Sequence, residues 1–279
     1  MSFWEKVNDL DRRIIYLIIG LTVFIPLLFN VTMESKPTQP VENIYDKINS
    51  LEEDDVVLVS FDYAASSLPE LQPMANAVID HLFRNDIKVV GMALWPVGVG
   101  LGTLVMEKKA AKYDKEYGKD YVNLGYKSGG LVVIDSMGGS VKKTFPTDKD
   151  GVALKDLPIM KHVNKLDDFS LAVTLSAGDP GLRHWVMVAS DKFGLPVAGG
   201  CTAVSAPQFF AYYNSGQLLG LMGGLRGAAE YENLIDVPGT ASAGMSAQTV
   251  AHLMIIIFII IGNISMFIIK RKKEKEKRK

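Results

Sequence analysis

The chain has 279 residues, 48% of them apolar, with one cysteine, 30 Lys and Arg against 31 Asp and Glu, and a mean hydropathy of +0.15. That hydropathy is high for a water-soluble protein, one cysteine cannot form an internal disulfide, and four scattered histidines offer no dense metal-ligand cluster. The near-balanced charge is uneven: the last ten residues carry eight basic and two acidic side chains, which leaves the middle mildly acidic and a poor partner for nucleic acid.

Residues 1–13 read as a short tail ending on Arg12 and Arg13. Ile14 to Val31 follows without a charge, 18 residues or roughly 27 Å as a helix, which predicts a first transmembrane helix over 14–33. Pro26 lies inside it, with Thr22 placed to satisfy the carbonyl that proline frees. The run is long for a signal peptide and no A-x-A-like cleavage site follows, so it reads as an uncleaved anchor. Residues 34–55 hold a Pro-containing linker and a short helix with one apolar stripe, Ile44, Ile48 and Leu51.

From 56 to 234 the pattern alternates strand and helix. Strands are expected at Val56 to Phe61, Lys88 to Leu94, Tyr121 to Leu124, Leu131 to Ile134, Leu171 to Ser176 and Leu195 to Ala198. Helices are expected at Glu70 to Arg84, Gly100 to Tyr117, Leu182 to Lys192, Pro207 to Tyr213 and Gly216 to Asn233. Residues 138–168 read as a surface excursion. Buried runs of Val, Ile and Leu without strict alternation need cover on both faces, so the expected fold is α/β, a mainly parallel, Rossmann-like sheet. A linker over 235–248, a second transmembrane helix over 249–269 and a basic tail over 270–279 complete the chain. Within the second span Asn263 and Ser265 are expected near the headgroups or bonded to another helix. Basic residues flank both spans on their outer sides, which places both termini in the cytoplasm and the main domain outside it, in the cell membrane.

In open parallel sheets ligands gather at the carboxyl ends of the strands. The loops expected there hold Asp62, Gly98, Gly100, Gly178, Asp179, Gly200, Cys201 and Thr202, the candidate ligand-binding residues. Capping boxes at Ser67 to Glu70 and Ser205 to Gln208, and an N-cap at Asp179 before Pro180, account for part of this polarity. Gly98, Gly100 and Gly102 match a dinucleotide fingerprint only loosely, with Thr103 where a third glycine belongs. Cys201 before a helix is either a thiol activated by the helix dipole or a small buried side chain. No G-x-S-x-G, H-E-x-x-H or Walker A sequence occurs, and no cofactor or catalytic residue is specified. Gly216, Gly220, Gly223, Gly224 and Gly227 at small-xxx-small spacing predict a helix face packed closely on its own sheet or on another subunit.

The strings Leu94 to Gly98, Leu124 to Lys127, Leu175 to Gly181, Gly199 to Pro207 and Gly216 to Glu232 resemble an uncharacterised family of two-span, membrane-anchored α/β proteins with no established activity. The resemblance implies an architecture and transfers no catalytic residue. The expected role is a binding or scaffold subunit of an envelope membrane assembly, in contact with lipid and with other membrane subunits or copies of itself. A membrane-anchored hydrolase or transferase acting on an envelope component is the alternative.

Overall fold

The computed structural model describes residues 3–4, 10–29 and 36–277, so parts of both predicted tails and the stretch 30–35 lie outside the described residues. Two units are formed, one from residues 1–33 and 243–279 and one from residues 34–242.

In the first unit, α1 (Arg12–Leu28) begins on Asp11, whose carboxylate accepts from the Arg13 N–H at 2.9 Å. Its aliphatic and aromatic side chains, among them Leu17, Leu21, Phe24 and Leu28, are exposed. Thr22 does not satisfy the carbonyl freed by Pro26, which is its own; its hydroxyl donates instead to Ile18 one turn back, at 2.7 Å. The helix that ends the chain, named below, exposes Leu253, Ile256, Ile260 and Phe267 in the same way. Among the described residues it is the one helix long and apolar enough to cross a membrane, over the 33 residues Thr240–Lys272. Its Ser265 hydroxyl donates to the Trp4 carbonyl at 2.8 Å, so this intraspan polar group is bonded to another segment.

The second unit opens with α2 (Gln39–Asn49), which buries Val41, Ile44 and Ile48 on one face. Then follow β1 (Val56–Asp62), α3 (Leu68–Arg84), β2 (Lys88–Ala93), α4 (Pro96–Lys112), β3 (Tyr121–Tyr126), α5 (Leu131–Gly139) and the single turn α6 (Val141–Thr144). The chain continues through β4 (Leu171–Ser176), α7 (Leu182–Trp185) with a π turn over Val186–Ser190, β5 (Val197–Cys201), α8 (Ala206–Asn214), β6 (Gly220–Gly223), α9 (Gly224–Leu234) and α10 (Thr240–Lys277). The six strands form one parallel sheet in the order β3-β2-β1-β4-β5-β6. That is the doubly wound arrangement: the chain builds outward from β1 to β3, then returns to β1's other side and builds outward to β6. β1, β4 and β5 are buried along their whole length, which is why they carry Val, Leu and Gly without alternation.

Several sequence expectations need correction. Leu131 to Ile134 is the start of α5, where Val133, Ile134 and Met137 turn inward; four apolar residues do not distinguish a strand from a buried helical turn. The stretch 138–168 is irregular but not superficial. It buries Phe145, Leu154, Ile159, Met160 and Leu166, and the Lys149 N–H donates to the Asn123 carbonyl at 2.9 Å, covering the outer edge of β3. The expected helix over Gly216 to Asn233 is a turn, a strand and a shorter helix, so its glycines do not share one helix face. Each solves a separate problem: Gly216 and Gly224 have φ near +80° and +60°, a Cβ on Gly220 would overlap α2 at Ile44 and Pro40, and one on Gly223 would meet Ala206. The linker expected over 235–248 is helical from Thr240.

α4 starts at Pro96, not Gly100, and ends at Lys112, so Gly98, Gly100 and Gly102 lie in its first two turns and not in a phosphate-type loop. A Cβ on Gly98 would overlap the Phe61 carbonyl, and one on Gly102 the Phe61 ring, whereas Gly100 faces open space. Gly98→Ala is therefore expected to destabilise by about 1–3 kcal/mol through overpacking. Gly100→Ala should stabilise by about 0.5–1 kcal/mol through helix propensity. Thermal unfolding of the two variants should show shifts of opposite sign.

Candidate functional site

β1 and β4 are neighbours running in parallel, and the winding reverses between them, so their carboxyl ends form the topological switch point of the sheet. Asp62 is the last residue of β1 and lies within the strand, not in the loop after it. It pairs in register with Ser176, and Ser176 with Cys201, so three of the sheet's polar or thiol side chains stand level on adjacent strands.

Asp62 is completely buried. Its Oδ1 accepts from the Leu94 backbone N–H at 2.7 Å. Its Oδ2 accepts from the Ser60 hydroxyl at 2.8 Å, the Trp185 indole N–H at 3.2 Å and, at 3.4 Å, the Thr174 hydroxyl. Burial pushes the carboxyl up from its ordinary 3.8 to about 6, although all four hydrogen bonds pull it down. Above it the Trp95 indole N–H donates across to the Pro180 carbonyl at 2.7 Å, and the ring lies against Gly178.

The neighbouring loops are tied by side chains in ways that differ from the expected capping boxes. Ser67 makes no cap bond to α3; the carboxylate of Glu70 accepts instead from the Ala203 N–H, 2.7 Å away in the loop after β5. Ser205 makes no cap bond either, and receives a hydrogen bond from the Thr202 hydroxyl at 3.0 Å. Asp179 is not an N-cap. Gly181 holds that position, and the Ser176 hydroxyl accepts from the Leu182 N–H at 2.9 Å. Asp179 is exposed on the rim, 3.5 Å from the His184 imidazole.

Cys201 and Gly200 belong to β5, since the strand runs three residues beyond its predicted end. Glycine at 199 and 200 makes room for Leu182 on one face and for Leu175 and Met74 on the other. The thiol is buried, and burial with the nearby Glu70 carboxylate pushes it up from 9.0 to about 12. A helix dipole does not activate it, and at neutral pH it carries almost no thiolate. Among the described residues no group of three or more His, Cys, Asp or Glu side chains is placed to hold a metal ion.

A second polar constellation, invisible in the sequence, lies on α9. Glu230 and Glu232 are both buried. Glu230 accepts from the Thr38 N–H at 3.0 Å, from the Thr38 hydroxyl at 2.7 Å and from Arg226 Nε at 2.8 Å. Glu232 accepts from the backbone N–H groups of Gly239, Ala241 and Ser242 and from the Ser242 hydroxyl, at 2.7 to 3.2 Å, which caps the first turn of α10. Two carboxylates on one helix thus hold the points where the chain enters and leaves the domain. Between them the Tyr231 hydroxyl meets His81 at 2.8 Å, and the other ring nitrogen of His81 is 3.0 Å from Asn49 Oδ1. Burial, with the Arg84 charge adding to it, pushes His81 down from 6.5 to about 4.

The predicted site residues therefore divide. Asp62, Gly178, Asp179, Cys201 and Thr202 share the carboxyl edge, but Asp62 and Cys201 are sealed beneath it, and Gly98, Gly100 and Gly200 belong to regular elements. Trp185, Ser60 and Thr174, whose side chains donate to Asp62, carry no mark in the sequence except the position of Ser60 two residues before Asp62 on a strand, which puts both on the same face.

The fold defines a doubly wound, Rossmann-like α/β domain joined to an apolar helix of membrane-spanning length. No family model and no curated protein matches the chain. Among solved structures a trehalose-6-phosphate synthase, OtsA, aligns over 86% of this chain and 47% of that chain, with 10% sequence identity and a TM-score of 0.29. The chain spans about half of that enzyme's length, and a likeness of this degree carries no argument about activity.

Asp62 and His81 give a pH test. The carboxyl of Asp62 is raised in the fold, so its contribution to stability is full below pH 3.8 and lost as pH rises through about 6. His81 is lowered, so its contribution is full above pH 6.5 and lost as pH falls through about 4. The two oppose each other in one window. Asp62→Asn should lose stability on acidification from pH 6.5 to 4 more steeply than the parent, and His81→Gln should gain it, each by on the order of 3 kcal/mol. Unfolding midpoints measured across that range would check both slopes.

Proposed function

We propose that this protein is a membrane-anchored scaffold or binding subunit whose α/β domain lies outside the cytoplasm. α1 and α10 both cross the bilayer and both termini are cytoplasmic. The exposed apolar surfaces of the two helices, and the basic residues Arg12 and Arg13 before one and Lys270 to Lys272 within the end of the other, support this topology.

The observation that carries the scaffold reading is the buried, internally bonded Asp62 at the switch point. At the switch point the Trp95 indole N–H bridges to the Pro180 carbonyl, and the buried acid of the same edge, Asp62, is saturated by four donors of its own chain. The thiol on the same edge is un-ionised. Meanwhile three buried side chains of α9 fix both ends of the domain and the helix α2 beside it, which suits a part whose task is to be held in a defined place.

Native mass spectrometry of the full-length protein, extracted from its own membrane in mild detergent, tests this. Mass beyond 30.6 kDa, from other chains or from further copies, is the expected result, and Cys201→Ser and Asp179→Asn should leave it unchanged. A bare monomer would sink the scaffold reading. A reporter active only in the cytoplasm, fused after Lys279, should be active; an inactive one would overturn the topology.

A further inference from the structure

β6 is an edge strand, and beside it α2, α8 and α9 leave a cleft of about 170 Å³. Its lining is mixed: the buried Val41 of α2 and Leu221 of β6 and the half-exposed Phe210 of α8 are apolar, while Thr38, Arg226 and the carboxylate of Glu230 are polar. A dry cavity of ~150 Å³ accepts a benzene ring, so this one has the size of a single large apolar side chain. On the outer face of α8, Pro207, Phe210 and Ala211 are exposed beside Gln208 and Asn214. The helix carries no charged residue, and Val204 just before it is 90% exposed.

On the rim stands Arg226. Its Nε is taken by Glu230 Oε1, and the other oxygen of Glu230 is taken twice by Thr38. The two terminal amino groups of the guanidinium have no partner among the described residues, and the side chain is 64% exposed. Glu230 thus holds the stem of the fork in place while the fork's outer N–H groups point free. A fixed guanidinium with its outer edge open is the geometry that binds a carboxylate through two parallel hydrogen bonds.

Deepening the scaffold reading, and resting on it for the nature of the partner, we infer that this cleft captures the C-terminal residue of a partner polypeptide, with a large apolar side chain in the cleft and the terminal carboxylate on Arg226. Pocket and cation line one cleft of one-residue size, which favours a carboxylate on the anchoring residue itself. An acidic side chain further along a partner has no such size match.

The test uses the full-length protein in lipid nanodiscs and a fluorine-labelled probe, acetyl-Ala-Ala-(4-fluoro-Phe), as the free acid and as the C-terminal amide, followed by fluorine NMR. The free acid should bind at least about 10-fold more tightly than the amide, equivalent to about 1.4 kcal/mol. Arg226→Gln should bring the acid down to the amide, and Phe210→Ala should weaken both. Phe210 is exposed at the mouth, and because Arg226→Gln also takes the cation from the buried Glu230, the acid-to-amide ratio in the unaltered protein decides the matter without either variant. Equal binding of acid and amide, binding no greater than to empty nanodiscs, or an acid preference that survives Arg226→Gln would each overturn the inference. A null probe result alongside subunit mass in the native spectrum removes this cleft and leaves the scaffold. Acid-selective binding by a bare monomer keeps the cleft and removes the scaffold.

Discussion

The buried carboxylate of Asp62 is the constraint around which the domain is arranged. One side chain collects donors from its own strand, from β4, from the backbone after β2 and from Trp185 of α7, so four separate parts of the chain are located by one anion. An ionised carboxylate in an apolar interior costs several kcal/mol even after relaxation. The upward displacement of Asp62 to about 6 means that the donors offset most of that penalty and leave on the order of 3 kcal/mol uncompensated at neutral pH. Such a group contributes less to stability than to uniqueness, since each alternative packing of β1 would leave the charge without some of its donors.

The same logic recurs on α9 with a different result. Glu230 and Glu232 are buried beside backbone N–H groups at two helix starts, where the unsatisfied donors of a first turn and the helix dipole both favour a negative charge. There the carboxylates complete helices that begin at the boundary of the domain. The Asp62 cluster fixes the interior and the α9 pair fixes the periphery. Close backbone approach joins the two regions: Gly98 and Gly102 bring α4 onto Phe61, the neighbour of Asp62, and Gly227 brings α9 onto Met222 of β6.

Trp95 bonded to Pro180 ties two loops of the carboxyl edge together, and beside the sheet edge at β6 Arg226 and Phe210 stand at a cleft mouth. Asp62 and Cys201, which look reactive in the sequence, are buried by the fold, whereas Asp179 stays exposed on the rim. Arg226, a cation on the exposed side of a helix, keeps its two terminal amino groups free among the described residues.

Sequence alone determined the alternation of strand and helix, the apolar segments at either end, the parallel sheet and the small stripe on α2, because each is written in local periodicity or in a run of one residue class. It also marked the carboxyl edge, since the residues that follow strands are countable from the chain. Tertiary structure decided what those residues do. Gly216 to Asn233 reads as a helix because its apolar residues lie close together, but positive φ at Gly216 and Gly224, and pairing of Gly220 to Gly223 with β5, make it a turn and a strand. Gly200 and Cys201 read as a loop because glycine is a poor strand former, yet Leu175 and Met74 fill the space that a side chain would need. Glu230 and Glu232 look like solvated acids until Thr38 and Ser242, distant in sequence, supply their donors. Periodicity reports which face a residue takes, and only the packed chain supplies the partner that makes a charge buried, a glycine necessary or an acid inert.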